Sequence, residues 1–322
     1  MLKRLLATSM AALLSPLAAT QAQAAFPEKP VQVVVPYVAG GPTDLAARLV
    51  TTRMSQRLGQ QFIVENRGGA GGNIGADYVV RSPADGYHLL IIGAAHAINK
   101  SLYKNISYDV QKDLAPVAML TTAPMVLLAN PGFKPNTVQE MVDYAKQNPG
   151  LISYASQGNG TAPHLATELL KAKTGIDLVH VPYKGSAQSL SDMASGQVQM
   201  GFDSVVVGKQ FTTSGLLKAL AVTGAKRSSV LLDVPTMAES GFPDVDASVW
   251  YAVVAPADTP PEVIKVLNTT INEILAEPEI RAKLNALGAE AAPMTPQEFA
   301  SFLDREVTKW AEVVKLSGAQ VD

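Results

Sequence analysis

The sequence predicts an α/β fold built from two strand–helix series of similar size, and three observations carry that reading. Short β-branched runs alternate with apolar residues at helical spacing from Pro30 onward. Glycine-rich segments join strand to helix in both series. The 322 residues are 47% hydrophobic and 17% charged, which suits one or two domains with real cores and excludes a largely disordered or collagen-like chain. Strands that alternate with helices imply mostly parallel sheets covered on both faces.

VQVVVPY (31–37) reads as a buried strand. The turn-rich AGGPTD follows it, and Leu45, Ala46, Leu49, Val50, Met54 and Leu58 then recur at helical spacing until Gly59. FIVEN (62–66), the loop GGAGGNIG and a helix over about 74–80 repeat the unit, and YHLLIIG (87–93) adds a third strand with a helical turn after it. The second series begins at VLLAN (126–130), with a helix over 137–147, the strand LISYAS (151–156), the loop SQGNGTAPH and a helix carrying Leu165, Leu169 and Leu170. DLVHVPY (177–183), KGS, a helix with Leu190 and Met193, VQMGFD (198–203) and LLKALAVTG (216–224) complete it. The C-terminal part is helical: Pro261 opens one helix, Ile280, Leu284 and Leu287 mark another that Gly288 stops, and Thr295-Pro296-Gln297-Glu298 forms a capping box. Phe299, Phe302, Leu303, Trp310, Val313 and Val314 make an apolar stripe expected to lie in the core.

The N-terminal segment stands apart from this pattern. Lys3 and Arg4 precede an apolar stretch from Leu5 to Ala19, and Ala22-Gln23-Ala24 supplies small residues for cleavage, the pattern of a secretory signal peptide. The apolar run is shorter than the roughly 20 residues a spanning helix needs. A soluble protein outside the cytoplasm is expected.

Several function classes drop out. With 26 basic against 28 acidic residues, the chain lacks the positive field that nucleic-acid binding uses. Without cysteine there is no disulfide framework, cysteine-ligated zinc, iron–sulfur cluster, thiol nucleophile or lipidated N-terminal cysteine. The four histidines, at 88, 96, 164 and 180, lack metal-ligand spacing, and neither a GxSxG elbow nor an HExxH motif occurs. GGAGGNIG lacks the Gly-Lys-Ser/Thr ending of a phosphate loop, and Ile74 stands where a dinucleotide fingerprint places its third glycine. No metal or cofactor is expected.

Three loops share a design that suits an anion. In AGGPTD (39–44), SQGNGTAPH (156–164) and KGSAQ (184–188) a strand ends, glycines and hydroxyl residues follow, and a helix begins. Free amides and the positive end of the helix dipole then face the space beyond the strand ends. Thr43, Ser156, Thr161 and Ser186 either cap their helices or donate to a carboxylate. Asp44 is a cap or a loop-orienting acid, and Asp203 a solvated strand-end acid or an acceptor for a ligand or its waters. His164 is a ligand donor or a structural hydrogen-bonding group, and Lys184 is solvated or helps attract an anion. A competing class, a secreted hydrolase, would pair Ser156 with His164 as its base, without a third orienting group.

The segments VQVVVPYVAGGPTDLAAR, VENRGGAGGNIGADYVVRSPADGYHLL, SLYKNISYDVQKDLAPV, ISYASQGNGTAPHLATELL, VHVPYKGSAQSLSDMASGQVQMGFD, LLDVPTMAESGFPD and WYAVVAPADTP, in this order, resemble the Bug/TctC family, the extracytoplasmic solute receptors of tripartite tricarboxylate transporters. The resemblance covers essentially the whole chain beyond the N-terminal segment. It implies a two-lobed periplasmic binding protein fold of type II, with a ligand cleft between lobes joined by two crossovers. The implied division is a signal peptide over 1–25, a first lobe from 26–123 and 247–322, and a second lobe over 124–246. Carried onto matching positions, the resemblance points to Tyr37, Ala39, Gly40, Thr43 and Asp44 from the first lobe, and to Ser156, Gly158, Gly160, Thr161, His164, Lys184, Gly185 and Asp203 from the second. Val38 stands where the family often has proline, as does Gly68, and both changes loosen a loop. The implied function is capture of a small organic anion, a dicarboxylate first, and its delivery to a membrane permease from a monomer in the periplasm. Presentation of the ligand to a sensor is the alternative.

Overall fold

The computed structural model describes residues 26–318, so the expected signal peptide over 1–25 lies outside the described residues. Two sheets organise the chain. The first contains β1 (Val31–Val35), β2 (Phe62–Asn66), β3 (His88–Gly93), β4 (Leu114–Ala123), β10 (Val249–Pro256) and β11 (Glu290–Ala291) in the order β11-β4-β10-β3-β1-β2. The second contains β5 (Met125–Ala129), β6 (Ser153–Ser156), β7 (Val179–Pro182), β8 (Met200–Ser204) and β9 (Lys218–Val222) in the order β7-β6-β8-β5-β9.

The sheets are mixed, which corrects the expectation of mostly parallel ones. β1 runs parallel to β2 and β3, and β6 parallel to β7 and β8. β10 is antiparallel to both β3 and β4, β11 to β4, and β5 to both β8 and β9. The reversed strands are those at which the chain enters one sheet from the other: β5, which follows β4 through Pro124 alone, and β10. β10 brings the chain back to the first sheet after the 223–248 connection.

Period-two alternation assigns each strand two cores. In β3, Leu90 and Ile92 face one apolar cluster while Leu89 and Ile91 face another. The second of these is sealed by α1 (Pro42–Leu58) and α8 (Pro261–Ala276). The first is covered by α2 (Asn73–Val80), α3 (Ala94–Leu102) and α10 (Pro296–Ser317), and continues without a break under α4 (Val138–Gln147) and α5 (Ala162–Thr174) of the second lobe. A third cluster lies beneath α6 (Ser186–Ala194) and α7 (Val205–Thr213). The remaining helix, α9 (Pro278–Ala286), packs against α8 and leads into β11.

α10 spans the lobes, touching α3 and β4 of the first and α5 of the second. Its expected stripe is core, with Phe299, Leu303, Trp310, Val313 and Val314 buried and Phe302 packed against them. Thr295 and Glu298 form the expected capping box. Within this layer Glu306, 6% exposed, accepts the indole N–H of Trp250 at 2.8 Å and that of Trp310 at 3.0 Å, and its other oxygen takes Lys309. At the crossover, Met125 donates its N–H to the Thr223 hydroxyl at 2.8 Å, Thr223 N–H returns to Met125 O at 2.8 Å, and the Thr223 hydroxyl stands 3.5 Å from that of Ser248.

Glu306→Ala strands two buried indole donors and is expected to destabilise the protein by about 2–4 kcal/mol, whereas Glu306→Gln, which keeps an acceptor, costs about 1 kcal/mol. Urea unfolding of both variants checks this; equal losses would show that volume, not hydrogen bonding, sets the cost.

Candidate functional site

The first loop is held by Asp44. This residue, 2% exposed, accepts Gly40 N–H at 2.9 Å and Arg48 Nε–H at 2.9 Å on one oxygen and Asn66 Nδ2–H at 2.9 Å on the other. Burial works against its charge, yet these donors prevail and hold the carboxyl below the ordinary range. Asp44 is therefore a loop-orienting acid and not the cap of α1. The amide of Gly40 is already taken, so its glycine serves the turn, where φ is +80°, while Val38, Ala39 and Gly40 remain exposed at the tip. Asn66 also donates to Tyr37 O at 3.1 Å. Thr43 is buried, and its side chain opposes the rise that burial gives the Tyr251 phenol. Burial, with the neighbouring phenols of Tyr251 and Tyr108, pushes the Tyr37 phenol up and keeps it protonated.

The second loop is held by Ser156, fully buried, whose Oγ accepts Gly158 N–H at 3.1 Å and is hydrogen-bonded to His180 Nε2 at 2.7 Å. The Thr161 hydroxyl donates to Gly158 O at 2.7 Å, and Gly160 N–H donates to His164 Nδ1 at 3.1 Å. At Gly160, with φ +74°, a Cβ would meet the Leu102 side chain of the first lobe at 3.1 Å. The rings of Tyr154, His180 and His164 form a stack, the two imidazoles 4.2 Å apart between centroids. Burial, then repulsion from His164, lowers the His180 pKa to about 4, and burial lowers that of His164. The serine's imidazole partner is thus His180 and not His164, because the β6–β7 register sets Tyr154 opposite His180. Among the described residues no carboxylate hydrogen-bonds to His180, so the pair orders a loop and lacks the third member of a hydrolytic triad.

The third loop converges on Asp203. This carboxylate, 5% exposed, accepts Gln157 Nε2–H at 3.0 Å and Ser204 N–H at 2.7 Å. Burial raises its pKa, opposed by the Ser204 and Ser186 bonds. Asp203 is a buried tie between two loops, not a solvated acid. Lys184 is exposed at the rim, and Gly185 starts α6 with open space where a Cβ would stand.

Gly41 and Gly185 stand at the N-caps of α1 and α6, and Thr161, the N-cap of α5, turns its hydroxyl to Gly158 O. α1, α5 and α6 begin without a side-chain cap, whereas Thr137, Ser204 and Thr295 cap α4, α7 and α10. α2, α3, α8 and α9 also lack a side-chain cap, α8 and α9 with Glu262 and Glu279 in their first turns and α2 and α3 with no acid there. At the cleft, α5 and α6 carry no acid in the first turn, and the only one in α1 is Asp44, which is occupied with its own loop. The amides there meet the requirements of an anion site.

A cavity of about 390 Å³ opens between the lobes, with Ala46 of α1 and Tyr251 of β10 on one side and Ala162, Pro163, Asp203 and Val207 on the other. Of the site residues the sequence singled out, only Asp203 lines it directly, and Thr161 adjoins its wall at Ala162. Gly160 and His164 line a separate polar cavity of about 500 Å³ with Glu168, Lys171 and His180. Tyr251, Gln157, Asn66 and Arg48 were missed. The one signal for Tyr251 was its place in WYAVVAPADTP.

The family described as "Tripartite tricarboxylate transporter family receptor" (TctC) matches residues 46–319. Protein BugT of Bordetella pertussis is 38% identical over 298 residues, 92% of this chain and 91% of its own. The solved structure described as R. palustris Rpa4515 with adipate is 37% identical with a TM-score of 0.74, covering 92% of this chain and 100% of that one. MatC (Rpa3494) from Rhodopseudomonas palustris with bound malate is 32% identical with a TM-score of 0.70, covering 90% and 100%. The two-sheet architecture is accordingly that of a periplasmic binding protein, and the chain belongs to the Bug/TctC family of tripartite tricarboxylate transporter receptors, which bind solutes and are not enzymes.

Proposed function

We propose that this receptor captures a small carboxylate, a dicarboxylate first, in the periplasm and delivers it as a monomer to the membrane permease subunits of a tripartite tricarboxylate transporter. The observation that carries the ligand class is the set of uncapped helix N-termini, α1 from one lobe and α5 and α6 from the other. The adipate and malate bound to the two relatives support it. That no described helix is long and apolar enough to cross a membrane accords with delivery to separate permease subunits.

In this reading residues 26–123 with 247–322 form one lobe and 124–246 the other. The ligand bridges Tyr37, Ala39, Gly40 and Thr43 on the first and Ser156, Gly158, Gly160, Thr161, His164, Lys184 and Gly185 on the second, while Asp44 and Asp203 hold the loops in place. No cationic side chain clamps the anion in the central cavity, so affinity comes from oriented amides, hydroxyls and bridging water. The ligand favours closure only through contacts better made in the closed form, and no chemical step is involved.

Thermal unfolding of purified, ligand-stripped protein against mono-, di- and tricarboxylates tests this. A ligand at 1,000 times its Kd adds about 4 kcal/mol, so a selective upward shift by a carboxylate recovered unchanged is expected; a well-folded sample that responds to no acid would overturn the ligand class. Asp44→Ala deprives Gly40, Arg48 and Asn66 of their acceptor and is expected to weaken binding about tenfold by loosening the loop, as read by calorimetry; unaltered affinity would remove this loop from the site. His180 and the buried His96 both have pKa values lowered to about 4, so the unfolded chain binds protons that the folded one does not between pH 6.5 and about 4. Stability therefore falls as pH drops through that window. Urea midpoints across it should decline, less steeply in His180→Gln, and a flat profile would count against both histidines.

A further inference from the structure

The cavity between the lobes has walls unlike its rim. Met125, Pro163, Val207, Val249 and Leu287 are among its lining residues, and no lysine, arginine or histidine lines it. Its polar side chains, Asp203, Ser204 and Tyr251, are a minority of the lining. Asp203 accepts from Gln157 and from Ser204 N–H, and the Ser204 hydroxyl accepts Val207 N–H as the cap of α7. A ligand hydroxyl placed against the apolar part of this wall gives up water for no partner, a loss of roughly tenfold in affinity. A methylene placed there gains about fourfold. The volume of about 390 Å³ falls in the range of small-molecule sites.

We propose that the solute carries a hydrocarbon body, an alkyl chain or ring of at least four carbons, which this cavity encloses while its carboxylate meets the helix N-termini at the rim. The inference rests on the carboxylate reading and specifies what is attached to the carboxylate. It separates this receptor from one for short hydroxy acids: the rim accepts either kind of anion, and the apolar interior discriminates between them. Val207, on the first turn of α7 and aimed at the cavity, is a determinant of the preferred body length.

Calorimetric titration of the purified, ligand-stripped protein with malate, succinate, adipate, hexanoate and benzoate tests it. Adipate, hexanoate or benzoate is expected to bind at least tenfold more tightly than succinate, and malate about tenfold more weakly than succinate. Val207→Phe, which fills the cavity, is expected to bring the adipate-to-succinate affinity ratio toward one. Malate binding as tightly as the best of the hydrocarbon acids would overturn the inference and leave the carboxylate reading standing, whereas failure of every acid to bind would overturn both. A ratio unmoved in folded Val207→Phe would take the body out of this cavity; should the variant not fold, the wild-type series decides.

Discussion

The architecture depends on one apolar layer that does not stop at the boundary between the sheets. Val34, Leu90 and Ile92 of the first sheet and Leu127, Tyr154 and Met200 of the second belong to the same buried cluster, and α10 closes it from above. Because α10 packs on α3, β4 and α5 together, the second lobe is not suspended on two strands alone. A charged residue at the centre of such a layer is costly unless fully paired. Glu306 meets that condition with two indoles and a lysine, and in doing so fixes Trp250 of the returning strand against the helix.

Against that fixed frame the cleft loops solve a problem of hydrogen-bond allocation. A helix start ordinarily consumes a nearby hydroxyl. Here glycines hold the N-cap positions of α1 and α6 and the Thr161 hydroxyl goes to Gly158 O, so no side chain caps these helix starts while the loops remain ordered. Two buried acids share the work, Asp44 in one lobe and Asp203 in the other, each satisfied by donors from neighbouring segments.

Local pattern made much of this legible. β1, β2, β3 and the strand–loop–helix units of both lobes follow from periodicity and glycine punctuation, as do the capping box and the core stripe of α10. β4 and β10 escaped that reading although they are the crossover strands. β4 carries Pro116, which argues against a central strand and sits at a register shift opposite Val254. Long-range partners were equally hidden: Ser156 meets His180 across 24 residues only because β6 and β7 align in parallel, and Asp44 meets Asn66 across 22 because α1 lies over β2. The free Gly40 amide expected from the loop's composition was not free, since an acid four residues later claims it.

The floor of the central cavity is made of Ala123, Pro124 and Met125, with Val249 beside them, and these are the residues through which the chain passes between lobes. Pivot and seat are thus one set of atoms. A change there alters the geometry of closure together with the shape of the binding space, so neither property can drift on its own. The walls, Val206, Val207 and Leu287, belong to helix α7 and to the turn after α9 and carry no crossover. A substitution in the walls changes the shape of the seat without touching the pivot, whereas one in the floor changes both.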